Sequence, residues 1–392
     1  MKISKVELVE FRETARLQCE IAGGKFFVEV EKKYADYLVH EVSDPFVIAA
    51  MLPSLMKGED IQCETISDDL FYHSPTILFL LSKVFHRNPI KIQPKQICHI
   101  DFEPKAVASG FSGGIDSFCT YINHTDENCP EAYRMTHLAL FNSGAYGSDY
   151  EKTQEKFRID VERANIFARE VNMPLVKVDT NIASIFTHKD IYHYSLRSTL
   201  CLSFCVLSLS KLFKTYYISG AGTIDEMKLT RYDQSYYSDA LVQLLSTHNT
   251  QIFMGETNMT RVDKTIRIAD NPLVQKYLYV CAADIFNEKF GKDYKKDTAS
   301  NCSQCMKCTR TLITLELLGK LEQFRGRFDL EKYMKSKNAV IQDVMNKRSY
   351  DHFAKDIYEL MSEKGWRIPL WRRVYGDFWG FWRRMRYKYY AK

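Results

Sequence analysis

Two short stretches hold the side chains whose types and spacing could do chemistry. The first reads Ser109-Gly110-Phe111-Ser112-Gly113-Gly114-Ile115-Asp116-Ser117-Phe118. The apolar run Ala106 to Ala108 leads into it, and a helix expected over Ile115 to Asn123 leads out. A turn of small residues between a strand and a helix suits an anion. Glycine lets the backbone pass close to a ligand, and the first N–H groups of the helix, at its positive end, face the charge. The spelling is not the G-x-x-x-x-G-K-[ST] of a Walker loop. The second stretch is Asn301-Cys302-Ser303-Gln304-Cys305-Met306-Lys307-Cys308, a C-x2-C-x2-C pattern. Two-residue gaps let successive thiolates converge on one ion. Tetrahedral Zn2+ asks for a fourth ligand, and Cys281 is the upstream candidate, giving C-x20-C-x2-C-x2-C. An iron–sulfur cluster would use the same thiolates.

Two further groups could complete an anion site. Arg197, in His193-Tyr194-Ser195-Leu196-Arg197-Ser198, precedes an apolar helix and could clamp phosphate with both arms of its guanidinium. The alternative is a solvated helix start. In Asn258-Met259-Thr260-Arg261-Val262-Asp263-Lys264, Thr260 reads as a helix N-cap. Arg261 and Lys264 then share one face of the first turn. Cations there oppose the helix dipole, which a bound phosphate would explain. An ordinary charged face is the alternative.

The elements that must position these residues alternate. Strands are expected over Thr136 to Phe141, Pro174 to Val178 and Tyr216 to Ile218. Helices are expected over Arg158 to Val171 and Thr199 to Leu212. This β-α-β-α-β rhythm points to an α/β fold, a parallel sheet with helices on both faces. Small-residue turns follow three of the strands, at 109–114, 142–144 and 219–222, so Asn142 and Gly220 join the loop as candidate ligand contacts. Residues 1–100 read as a smaller α+β module. It holds a hairpin, Arg16 to Ala22 and Lys25 to Glu31, around Gly23-Gly24, and a helix opened by Ser74-Pro75 and ended by Asn88-Pro89. Residues 101–325 form the α/β domain with the cysteine knuckle, and 326–392 a helical region.

Ser112, Gly113, Gly114, Asp116 and Ser117 spell S-G-G-x-D-S, which resembles the pyrophosphate-binding loop of the N-type ATP pyrophosphatases, the PP-loop superfamily. A PP-loop followed by a C-x2-C-x2-C knuckle is similar to 7-cyano-7-deazaguanine synthase. That family uses ATP and ammonia to turn a carboxylate into an amide and then a nitrile, and holds a four-cysteine zinc. The resemblance covers roughly residues 101 to 325. The chain departs from the family in its N-terminal module and in the distance of Cys281 from the other cysteines. The family's purine contacts find no match here. The resemblance implies ATP, Mg2+ and Zn2+ as cofactors. Ser112 and the backbone of 113–117 would cradle the phosphates, and Asp116 would hold Mg2+. Arg197 and Lys264 would neutralise departing pyrophosphate, Asp116 and Ser117 would be the catalytic residues of the loop itself, and Cys281, Cys302, Cys305 and Cys308 would hold the zinc. The reaction implied is adenylation of a substrate carboxylate followed by attack of ammonia or another amine. Sulfur transfer to RNA by a PP-loop thiolase and a non-catalytic nucleotide-sensing scaffold are the other readings.

Composition sets the boundaries. The chain has 392 residues, 45% of them hydrophobic and 26% charged, as in ordinary globular proteins. No apolar run of membrane-spanning length occurs, and the start lacks a signal peptide's apolar core, so a cytoplasmic protein with reduced thiols is expected. The net charge of +5 is uneven. Residues 366–392 carry eight Lys or Arg and one Asp, +7, which leaves −2 for the rest, not the balance of a nucleic-acid-coating protein. The same segment holds all four tryptophans, and Trp371, Tyr375, Phe378, Trp379 and Trp382 fall on one helical face. Docking on the protein's own body or on a second subunit, a membrane surface, and a nucleic acid or protein partner are the candidate roles for that face. Gly376 and Gly380 weaken the helix.

Overall fold

The computed structural model describes residues 1–282 and 301–390, with 384 and 386–390 described by backbone alone. The chain groups into two compact units. One is Met1–Ser112 with Asn123–Thr257, and the other is Gly113–Ile122 with Asn258–Lys392.

The first unit is built on an eight-stranded sheet. In chain order its strands are β1 (Glu7–Glu10), β2 (Thr14–Ile21) and β3 (Gly24–Glu31), then β6 (Ala106–Gly110), β7 (His137–Asn142), β8 (Leu175–Thr180), β9 (Phe213–Ser219) and β10 (Gln251–Gly255). A separate parallel pair is formed by β4 (Ile61–Ser67) and β5 (Ile92–Cys98). The large sheet has the order β1-β2-β3-β8-β7-β6-β9-β10. From β8 to β10 the strands are parallel. The N-terminal hairpin forms as its Gly23 turn suggests, with Gly23 at φ +83°. It then continues the same sheet, because β3 pairs antiparallel with β8 through Val28–Thr180 and Val30–Val178. The architecture is therefore α/β with a mixed sheet, carrying the smaller N-terminal β/α module and a C-terminal helical region.

Helices of this unit are α1 (Asp44–Lys57), α2 (Asp68–Phe85), α4 (Tyr150–Glu170), α5 (Ser198–Leu207) and α6 (Ser238–Leu245); α3 (Ile115–Thr125) begins in the other unit. Phe46 to Leu52 of α1 and Leu200, Phe204 and Cys205 of α5 are fully buried in a core shared with Val28, Val176 and Tyr216 of the sheet. The helix α4 starts at Tyr150, eight residues before the expected Arg158. Two further departures from expectation have local reasons. The helix α2 starts not at Ser74-Pro75 but at Asp68, where the Ser67 hydroxyl caps the Leu70 N–H at 3.1 Å. Pro75 is tolerated inside it because the Ser74 hydroxyl donates to the Phe71 carbonyl, 2.9 Å away, which the missing proline N–H would have served. The helix α5 stops at Leu207 rather than running to Leu212. Ser208 and Ser210 turn their hydroxyls back onto the carbonyls of Phe204 and Leu207, at 2.8 and 3.1 Å.

The second unit is helical, with α7 (Arg261–Ile268), α8 (Pro272–Tyr277), α9 (Met306–Leu317), α10 (Leu330–Lys347), α11 (His352–Glu363) and α12 (Leu370–Tyr390). Its interior includes Cys308, Leu312, Ile313, Leu315, Phe324 and Tyr333, and the Tyr333 hydroxyl donates to Glu316 at 2.7 Å. Among the described residues no helix is long and apolar enough to cross a membrane.

Candidate nucleotide loop and cysteine centre

The strand order reverses at β6: β7 and β8 lie to one side of it, β9 and β10 to the other. In open α/β sheets ligands bind beyond the carboxyl ends of the strands at such a reversal. The end of β6 leads into Phe111 and Ser112, and the end of β9 into Gly220-Ala221-Gly222. The loop after β6 then opens α3. Gly113 has φ +76°, a conformation that L side chains rarely adopt, so glycine is required by the turn rather than by crowding. Its carbonyl accepts the Tyr279 N–H at 2.7 Å, and the Ser117 hydroxyl donates to the Gly114 carbonyl at 3.1 Å.

Asp116 stands in the first turn of α3. Its carboxylate accepts from Arg261, by Nε at 3.2 Å and by a terminal nitrogen. The two side chains are 23% and 22% exposed, so the pair is half-buried. Arg261 begins α7 behind a capping box in which Thr260 caps the Asp263 N–H and the Asp263 carboxylate returns to the Thr260 N–H. The guanidinium also lies over the Phe353 ring, 4.7 Å from its centroid, and that of Arg310 lies 4.8 Å from the same ring while pairing with Asp351 at 2.6 Å. Lys307 stands near this group. It keeps exposed surface, yet the protein packed round it lowers its pKa, helped by the charge of Arg261. Lys264, three residues beyond Arg261, is fully buried instead of sharing an exposed face with it.

Asn142, Arg197 and Gly220 all belong to the first unit. Asn142 is buried and donates to Thr153 Oγ1 at 3.0 Å and Asp179 Oδ1 at 2.8 Å. Asp179 also accepts from the Tyr150 hydroxyl at 2.7 Å. Sequence reasoning did not single out Asp179; its place at the end of β8, next to Asn142 in the ladder, was the available signal. Arg197 is 1% exposed. It donates to the Ala183 carbonyl at 2.6 Å and to Ser148 Oγ at 2.7 Å, and its Cζ lies 4.6 Å from the Phe186 ring centroid. A Cβ on Gly144 would come within 3.5 Å of the same guanidinium, so Arg197 sits against the 142–144 turn. Gly220 has a packing reason for its type. A Cβ there would stand 2.6 Å from the Gly255 carbonyl, which accepts the Gly220 N–H.

The four expected cysteines come together. The sulfurs of Cys281, Cys302, Cys305 and Cys308 all lie within 4.8 Å of one another, and those of Cys302 and Cys308 are 3.8 Å apart. Tetrahedral zinc at about 2.3 Å from each sulfur would place sulfurs about 3.8 Å apart. Backbone N–H groups already point at the sulfurs, Ala282 at Cys305 (3.5 Å) and Cys305 at Cys302 (3.2 Å). Cys305 is driven toward thiolate by hydrogen bonds from Cys281, Cys302 and Cys308 in that order, while Cys302 and Cys308 are pushed up by the same network, led by Cys281. Four thiolates at this spacing need a metal to offset their repulsion. The donor set therefore fits zinc.

Asn301 holds the two halves of the centre. Its Oδ1 accepts the N–H groups of Val280 and Cys281, at 2.8 and 3.1 Å, and its Nδ2 donates to the carbonyls of Leu278 and Arg327, both at 3.1 Å. That is how Cys281 reaches cysteines twenty or more positions away. Asn301 directly precedes the knuckle, but an asparagine in a loop gives no spacing signal of its own.

Comparison with family models, with curated proteins and with solved structures returned no match to this chain. What stands is a mixed α/β sheet with a four-cysteine cluster, features compatible with an enzyme of the PP-loop superfamily and with nucleotide and metal binding.

Proposed function

We propose that the chain cleaves ATP to AMP and pyrophosphate to adenylate a substrate carboxylate, and that ammonia or another amine then displaces AMP to form a C–N bond. The observation that carries this reading is the S-G-G-x-D-S loop. It leaves the strand where the sheet order reverses, takes a left-handed turn at Gly113, and opens α3 with Asp116 and Ser117 in the first turn.

A carboxylate oxygen of the substrate attacks the α-phosphorus, and the bond to the β-phosphate oxygen breaks with release of pyrophosphate. The amine lone pair then attacks the activated carbonyl, AMP leaves with the bonding pair, and the amine loses a proton. No protein nucleophile is needed. The chain would orient the triphosphate through the loop backbone and the Ser112 and Ser117 hydroxyls, and stabilise charge on leaving pyrophosphate with the helix terminus. Mg2+, when bound, would neutralise phosphate charge, and Asp116 is the carboxylate that would hold it. Its present partner, Arg261, would then be released toward phosphate. The buried settings of Arg197 and Lys264 fit positioning residues better than groups that touch pyrophosphate.

The four cysteines would hold a structural zinc, which leaves no reason to assign them sulfur transfer. Purified protein incubated with ATP, Mg2+ and a panel of carboxylic acids with ammonium should yield AMP and pyrophosphate. ADP as the product would overturn the assignment. Nucleotide bound but not cleaved with any acid would support a sensing scaffold instead.

A further inference from the structure

The helix α12 rests on α10 through its smallest residues. Among its described side chains only Gly376 and Gly380 are buried. A Cβ on Gly376 would lie 2.6 Å from the Met345 carbonyl, and one on Gly380 2.6 Å from Ser349 Oγ. Polar ties flank this seam: Arg372 donates to the carbonyl and side chain of Asn338 at 3.0 and 2.8 Å, Arg348 pairs with Asp377 at 2.6 Å, and Arg383 reaches the Tyr350 hydroxyl at 2.8 Å. The bulky residues are therefore not what docks the helix.

They form a stripe on the opposite side. Trp371, Val374, Phe378, Phe381, Trp382 and Met385 are each 53–61% exposed. With a helical step of about 100° per residue, these six fall within an arc of about 100° centred opposite the glycines. An apolar stripe of this length is unusual on a protein surface without a function. Its surroundings are basic, since residues 366–392 sum to +7. A second copy laid on the stripe would bring like charge against like charge, which is costly. A nucleic acid would need an aromatic platform lining a groove, whereas this stripe mixes aliphatic and aromatic groups on a convex helix. Tryptophan and other aromatics with arginine beside them match the boundary between acyl chains and anionic headgroups.

We propose that α12 is an interfacial anchor for an anionic lipid membrane. It would lie in the plane of the surface with the Trp371–Met385 stripe in the acyl boundary and the basic residues that do not tie it to α10 drawn to lipid phosphates, without crossing the bilayer.

All four tryptophans of the protein lie in residues 366–392, so its tryptophan emission reports this segment alone. The full-length protein would be titrated with vesicles of phosphatidylcholine containing about 30 mol% phosphatidylglycerol, and with pure phosphatidylcholine vesicles, following emission and flotation. A blue shift and co-flotation are expected with the anionic vesicles, at least about tenfold weaker without the anionic lipid and weakened by salt. Phe378→Glu and Trp382→Glu alter the outer face and not the glycine seam. Each should lower partitioning by at least about tenfold while the far-ultraviolet dichroism is unchanged. Failure of the folded protein to bind anionic vesicles would overturn the proposal. So would a stripe already blue-shifted in a lipid-free dimer, or binding to RNA in preference to vesicles.

Discussion

Arg261 grips the carboxylate of Asp116 with two nitrogens of its guanidinium. One residue of the S-G-G-x-D-S loop is thus neutralised by the first residue of α7. Asp116→Asn should lower AMP formation by about a hundredfold or more, since it removes the only carboxylate in the loop. The pair also couples in stability. Arg261→Ala leaves a half-buried carboxylate without its partner, and should cost about 1–2 kcal/mol after allowance for solvent screening. In a double-mutant cycle read by thermal unfolding, Asp116→Ala with Arg261→Ala should destabilise less than the sum of the single changes. Strict additivity would show that the two residues do not interact.

The cysteine centre makes a prediction in metal content. Protein purified without chelator should carry one zinc, with X-ray absorption showing four sulfur neighbours at about 2.3 Å. Visible absorption from an iron–sulfur cluster in place of zinc would correct the metal. Cys308→Ser should lose most of the metal and lower the unfolding temperature by about 5 °C or more. Cys201→Ser is the control. Cys201 is as deeply buried, but lies in the α5 core and is not one of the four clustered cysteines, so its substitution should affect stability and leave metal content unchanged.

What was legible in the sequence was what depends on neighbours along the chain. The S-G-G-x-D-S loop, the C-x2-C-x2-C spacing and the hairpin at Gly23 each encode their geometry within ten residues. What was not legible depends on distant contacts. Nothing near Thr14–Glu31 says that β3 will pair with β8, because strand order in a sheet is settled by long-range packing. Nor does the stretch around Arg261 and Lys264 say that Arg261 will pair with Asp116 or that Lys264 will be buried. In the tail the apolar period was readable, but the docking face was set by Gly376 and Gly380, which seemed only to weaken a helix. Pro75 misplaced the start of α2 because the compensating hydroxyl of Ser74 acts on a carbonyl a turn away.

Asp44 offers a pH test. It is buried at the start of α1, where it accepts from the Ser67 N–H at 2.9 Å and from the Ser67 hydroxyl. Burial outweighs these bonds and raises its pKa from 3.8 to about 6. The folded protein therefore holds this proton more tightly than the unfolded chain does. The stabilisation is complete below pH 3.8 and is lost as pH rises through about 6. It amounts to about 2–3 kcal/mol. Asp44→Asn should remove that component, so the difference in unfolding free energy between variant and parent should change steeply between these pH values and be flat above them. A difference curve flat throughout would show that Asp44 titrates normally.

The seam between α12 and α10 can be tested by the unequal standing of its two glycines. At Gly376 the atom that would meet an added Cβ is a backbone carbonyl, Met345 O, fixed within its helix. At Gly380 it is the hydroxyl oxygen of Ser349, the end of a small side chain that can rotate away. Alanine adds some helix propensity at either site, but less than the clash at Gly376 costs. Gly376→Ala should therefore destabilise the folded protein by about 1–3 kcal/mol or detach α12. Gly380→Ala should be tolerated to within about 1 kcal/mol. Tryptophan emission and its quenching by iodide follow both, because every tryptophan is in the segment concerned. Equal tolerance of the two substitutions would mean that α12 does not pack on α10 through its glycines, and that the aromatic stripe is not held outward by that seam.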